Sequence, residues 1–316
     1  MPGKPTQTIL KQCINLRKDE SLLVVADSNT LKIGKSIFEE AKKICKNAQI
    51  AIIPVGKVSG EEPPDDIAEK MKGFDVIIAP TTKSLTHTNA IKDAAKNGAR
   101  VATLPGITEE VFMRDMSVDY PKIARMTKKL HDAIRRAMTI RIFTDKGTDI
   151  SIFRDKGSKA FCDDGIIRKK GMIGNLPGGE LFFVPQYAKT EGVFVVDASI
   201  GDIGLVDSPV RITVKKGYAV SIEGKRSAQD LMKILESCGK EAYNIAELGI
   251  GTNKSARISG VVLEDEKVYG TAHIALGSSK GMGGKIYAGC HLDCVFKKPT
   301  IYADGKMIMR EGSLTI

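Results

Sequence analysis

The sequence has no tryptophan, and aromatic residues make up only 5% of it. Platforms for stacking the bases of single-stranded nucleic acid therefore have little material. Long apolar runs are also missing. Stretches such as SLLVVA and GVFVV fall far short of the roughly 20 residues that cross a bilayer. The stretch MPGKPTQTILKQC has neither the apolar core nor the cleavage site of a signal peptide, so a cytoplasmic protein without a membrane partner is expected. Cysteines number six. Cys13, Cys45, Cys162 and Cys238 are isolated, and Cys290 with Cys294 lacks the second pair of a zinc ribbon, so all read as reduced, buried thiols. A dinucleotide fingerprint is absent as well, because the turn after the first apolar strand reads ADSNTLKIG rather than G-x-G-x-x-G.

What is present is ordinary for a globular chain: 316 residues, 42% hydrophobic, 27% charged. At roughly 150 residues per domain this length suggests about two domains. Lys and Arg number 48 against 38 Asp and Glu, a net charge of +10. Most of the basic residues are dispersed among acids. The densest stretch, Pro121 to Arg141, carries seven Lys and Arg and one acid, Asp132. Ile123, Met126, Leu130, Ile134 and Met138 recur in it at helical spacing, which predicts an amphipathic helix with one basic face. A non-catalytic protein that binds an anionic partner through this helix, 121–141, is one reading. A nucleic-acid partner is not favoured.

The first 140 residues alternate short apolar strands with helices. Strands are expected at Ser21–Ala26, Gln49–Val55, Phe74–Ala79 and Ala99–Leu104, and helices at Leu31–Lys46, Ile67–Lys72 and Thr86–Asn97. That pattern predicts βαβ units. After residue 140 many short strands follow, among them TIRIFT, DISIFR, YNIAELGIG and ARISGVVLE, with one clear helix at Ser227–Lys240. The expected class is α/β: a doubly wound, mostly parallel sheet in residues 1–140, then a β-rich metal-binding domain in 141–316.

Four histidines are present. His87 and His131 fall on expected helices and read as structural or surface residues. His291 and Asp293 are two apart in CHLDC, so on a strand they point the same way and form a pair of metal ligands. His273 lies in the apolar stretch YGTAHIALG, seven residues after Glu266. Glu247, in NIAELGIGTN, and Glu180, in LPGGELFFVP, are acids in apolar strands, which are costly there unless paired or metal-bound. Carboxylates and imidazoles together suit a pair of divalent ions that acidify a bridging water.

These motifs, with TKSLTHTNA, ARVATLPGITEEVF and PTIYADGK, resemble the aminopeptidase T family of metallopeptidases over nearly the whole chain. The resemblance implies two metal ions (cobalt, zinc or magnesium) held by Glu180, Glu247, Glu266, His273, His291 and Asp293. Glu247 is then the central ligand, Glu180 relays protons, a peptide is the substrate and the protein is a homodimer. Lys280 stands where those peptidases carry a tyrosine, and would steady the oxyanion. A metal-dependent aminopeptidase releasing N-terminal residues is the leading expectation. The chain is also similar to the 2,5-dihydroxypyridine dioxygenases of the same fold. That resemblance implies one ferrous ion on His273, His291 and Asp293, with Glu180 as acid or base.

Overall fold

The computed structural model describes residues 4–316, so the first three residues of the N-terminal stretch lie outside the described residues. The chain groups into two compact units, Met1–Ala124 with Asp163–Gly178, and Arg125–Cys162 with Gly179–Ile316. No described helix is long and apolar enough to cross a membrane.

The first unit is built on a five-stranded parallel sheet. Its order is Asn47–Ile53, Ser21–Asp27, Val76–Thr81, Arg100–Pro105 and Ile173–Asn175. The central strands are buried along nearly their whole length, as helices on both faces of a parallel sheet require. Leu31–Ala41 and Asn89–Lys96 are among those helices, the second capped by the Thr88 hydroxyl, which accepts from the Ile91 N–H. At the end of the first strand, in place of a glycine turn, the Asp27 carboxylate accepts from the N–H groups of Asn29 (3.0 Å), Thr30 (3.2 Å) and Thr82 (2.5 Å). The fifth strand was not among those expected. It comes from the segment that returns to this unit after residue 162, and three residues show no readable period.

The second unit is antiparallel. An eight-stranded sheet runs in the order Tyr218–Glu223, Val210–Lys215, Glu191–Val196, Asp149–Phe153, Thr139–Phe143, Thr300–Ala303, Lys306–Arg310, Ser313–Leu314. A seven-stranded sheet runs Gly204–Leu205, Ser199–Ile200, His291–Lys297, Thr271–Gly277, Ile245–Gly251, Glu180–Phe183, Ala160–Asp163. The two sheets share one apolar core. Ile140, Ile142, Ile150, Ile152, Phe194 and Ile212 enter it from the first sheet, and Leu181, Phe183, Leu248, Ile250, Ile274 and Leu292 from the second. The rings of Phe194 and Phe296 meet across it with centroids 6.4 Å apart. The helix Arg226–Cys238 adds Ala228, Leu231 and Leu235 to the same core.

Two expected elements differ. The basic helix spans Tyr120–Ile134 instead of continuing to residue 141. Residues Thr139–Phe143 alternate polar and apolar, and burying Ile140 and Ile142 against the second sheet holds them as a strand. ARISGVVLE is not a strand either. It forms bends and the short helix Val262–Asp265, because the carboxylates of that helix bind the loop before it. Glu264 accepts from the Arg257 N–H (2.8 Å), and Asp265 accepts from Ser259 N–H (2.7 Å) and Gly260 N–H (2.9 Å).

Leu248 is fully buried on the core side of the seven-stranded sheet. Leu248→Ala should lower stability by about 2–5 kcal/mol. Denaturant unfolding followed by circular dichroism would measure it, and bound-metal content should stay unchanged, since the residue faces away from the site described next.

Candidate metal centre

The period of two along a strand decides where the charged residues go. In the His291 strand Leu292, Cys294 and Phe296 enter the core, so His291 and Asp293 share the opposite face. In the His273 strand Ala272, Ile274 and Leu276 are in the core, which turns His273 outward with Ala275. Glu180 lies opposite Leu181 in the same way. Glu247 needs one further device. The ladder shifts register between Ile245 and Glu247, so Ile245 and Leu248, three apart, both reach the core and Glu247 turns to the other face.

Cross-strand pairing then brings the groups together. Ala275 pairs with Glu247 on one side and Asp293 on the other, and its small side chain leaves room between the two carboxylates. Gly249 pairs with His273. A Cβ at Gly249 would lie 2.0 Å from His273 Nε2, so only glycine lets the imidazole lie across that strand. Glu266 arrives from outside the sheet, directly after the helix Val262–Asp265.

All six expected ligands converge. His273 Nε2 lies 3.3 Å from Glu180 Oε2, 3.5 Å from Glu247 Oε1 and 4.0 Å from Asp293 Oδ1. His291 Nε2 lies 3.4 Å from Glu247 Oε2 and 3.5 Å from Asp293 Oδ1. Three overlapping sets, Glu180–Glu247–His273, Glu247–His291–Asp293 and Glu266–His273–Asp293, each have ligand atoms within 4.8 Å of one another. His291 Nδ1 donates to the Ser278 carbonyl (2.9 Å), which fixes the tautomer and leaves Nε2 as the ligand atom. His273 is 1% exposed, and neither of its ring nitrogens has a hydrogen bond of good geometry. A buried imidazole in that condition, aimed at carboxylates, fits a cation better than it fits a neutral core.

The electrostatics are those of crowded acids. Burial disfavours a charged His273, yet Glu247, Glu180 and Asp293 outweigh it and hold the imidazole pKa up at about 9. Burial is likewise overcome at His291, chiefly by Asp293, and its pKa is well above the ordinary value. Glu247 and Asp293 are held low by the two imidazoles against the burial that would raise them. Glu266 goes the other way, because burial pushes it well up despite the neighbouring Lys267.

Lys267 is the residue that sequence reasoning missed. It is 1% exposed, with Nζ 2.5 Å from Glu180 Oε1 and 2.7 Å from Glu266 Oε1. A lysine at the end of the acidic run EDEK reads as surface, and only its place beside Glu266 hinted otherwise. Lys280 lies on an exposed turn, Lys280–Met282, with Nζ 5.7 Å from the centre of the Tyr287 ring. His131 pairs with Asp132 at 3.5 Å, and His87 is exposed.

A family model described as NicX, 2,5-dihydroxypyridine 5,6-dioxygenase, matches residues 8–316. The chain belongs to this family. Two solved structures share the fold of this NicX family member. 2,5-Dihydroxypyridine dioxygenase from Pseudomonas putida KT2440 is 19% identical, with a TM-score of 0.87 over 100% of this chain and 98% of that one. AmpT from Thermus thermophilus is 16% identical, with a TM-score of 0.68 over 99% of each. No curated protein matches the sequence. The fold relation to aminopeptidase T thus holds. The expected activity does not: NicX membership and the fit to the dioxygenase overturn the assignment as a hydrolase that releases residues from peptides. The motifs misled because carboxylates and imidazoles serve metal-dependent hydrolysis and oxygen chemistry alike. The oxyanion role expected of Lys280 belonged to hydrolysis and goes with it.

Gly249→Ala should displace the His273 ring and lower metal retention after gel filtration by at least about 10-fold, the scale of losses when a ligand's support is removed, with the circular dichroism spectrum unchanged. The pH dependence of the metal-free protein is a separate test. With a folded value near 9 against an ordinary 6.5, the His273 proton stabilises the fold fully below pH 6.5, and that contribution is lost as pH rises through 9. The thermal midpoint of chelator-treated protein should fall across that window. A flat midpoint would show the imidazole already neutral.

Proposed function

We propose that the chain is a mononuclear, non-haem iron(II) dioxygenase that opens a dihydroxylated nitrogen heterocycle of the 2,5-dihydroxypyridine kind. The observation that carries this reading is the donor set. His273, His291 and Asp293 lie on two adjacent strands with their ligand atoms on one side, a two-histidine, one-carboxylate arrangement that suits ferrous iron with open positions. Membership of the NicX family supports the same chemistry.

When bound there, iron supplies the one-electron chemistry that lets dioxygen react with a closed-shell ring. The chain's own residues do the rest. His291 is kept in one tautomer and orientation by Ser278, and His273 by the strand beneath it. Asp293 supplies the anionic donor. Glu180 Oε2, 3.3 Å from His273 Nε2, is placed to take the proton of a substrate hydroxyl as the ring approaches. Glu247 turns one oxygen toward the Nε2 of each imidazole, which adds a second carboxylate on the side where the iron would bind.

Iron-reconstituted protein should consume oxygen on addition of 2,5-dihydroxypyridine, with loss of the ring's ultraviolet absorbance, and a chelator should stop both. His291→Ala and Asp293→Asn should retain no iron. Glu180→Gln should keep its iron and lose about 10²–10⁴-fold in turnover, the range for a general base. Full iron loading with no oxygen uptake on any dihydroxylated pyridine would sink this reading.

A further inference from the structure

The cluster contains a buried lysine. We infer that Lys267 occupies the place of a second metal ion, and that its ammonium limits the site to one divalent cation. The inference rests on the one-ion reading above and explains it from this chain's residues.

Three observations carry it. First, the lysine is among the largest fully buried side chains of the molecule, and its Nζ lies between Glu180 Oε1 and Glu266 Oε1 at 2.5 and 2.7 Å. Both carboxylates also belong to the ligand sets of the cluster, Glu180 with Glu247 and His273, and Glu266 with His273 and Asp293, so a second ion would draw on them. An ion held between those same two oxygens, at metal–oxygen distances of about 2.0–2.2 Å, would need the volume that the ammonium fills. Secondly, the backbone aims the side chain inward. Asn253 N–H donates to the Lys267 carbonyl (2.8 Å), and Tyr269 N–H donates to the Asn253 carbonyl (2.9 Å). A Cβ at Gly251 would lie 2.0 Å from the Val268 oxygen and 2.8 Å from the Lys267 carbonyl carbon, so the segment rests directly on a bare strand. Thirdly, the charges count. Glu180, Glu247, Glu266 and Asp293 bring four carboxyl groups to the cluster. With all four ionised, one ammonium and one divalent ion leave a single net negative charge, a second divalent ion beside the ammonium turns it to a single net positive one, and two divalent ions without the ammonium bring it to zero.

The test counts bound metal in the full-length protein, wild type beside Lys267→Met and Lys267→Arg. Each is incubated anaerobically with excess Fe(II), and separately with Zn(II), passed through gel filtration and measured by elemental analysis. The expected result is one ion per chain in the wild type and in Lys267→Arg, and two in Lys267→Met. One ion in a folded Lys267→Met overturns the inference and leaves the one-ion reading intact. Two ions in the wild type overturn that reading and this inference together. Should Lys267→Met fold only when metal is added, the equivalents needed to restore the circular dichroism spectrum decide: two support the inference, and one overturns it. A variant that stays unfolded in excess metal also overturns it, because a second cation then fails to stand in for the ammonium.

Discussion

Crowding like charges out of water is the constraint that shapes the second unit. Each buried ion carries a desolvation penalty of several kcal/mol even after relaxation, and here Glu180, Glu247 and Asp293 all lie within 4 Å of a single imidazole nitrogen. Such a group of acids persists only where cations offset it and where the scaffold cannot yield. The offset comes from two imidazoles and one ammonium. The rigidity comes from the reverse side of the same strands, whose leucines, isoleucines and phenylalanines lock into a second sheet. Spreading the carboxylates apart would mean prising that hydrocarbon open.

Small residues do the complementary work. Gly249 and Ala275 lie under the imidazole and between the acids, where any larger side chain would fill the space the donors need. The seven-stranded sheet is therefore asymmetric by residue size as well as by polarity. Its inner face carries large apolar side chains, and its outer face sets small residues among the charged donors.

Much of this was legible in the sequence because alternation along strands is a strong signal. His291 and Asp293, two apart, had to share a face. Glu180, Glu247 and His273 stood out as polar groups in apolar strands. What was not legible came from tertiary contacts. Lys267 looks solvated by composition and is buried by the packing of its backbone on Gly251. Glu264 and Asp265, next to Glu266 in the sequence, hold the loop before them. The return of the segment Asp163–Gly178 to the parallel sheet rests on the three-residue strand Ile173–Asn175, too short to show a period. The reaction was legible least of all. A set of acids and imidazoles serves hydrolysis and oxygen chemistry alike, and fold alone does not separate them.

The stem below the loop of residues 279–289 has a consequence of its own. Ser278 donates its N–H to the Cys290 carbonyl and receives the His291 Nδ1 proton on its own oxygen, so the loop is tied off at its root. That tie separates the tip, where Tyr287 is exposed, from the imidazole, so the ring's alignment is set by the stem and not by the length or charge of the segment above it.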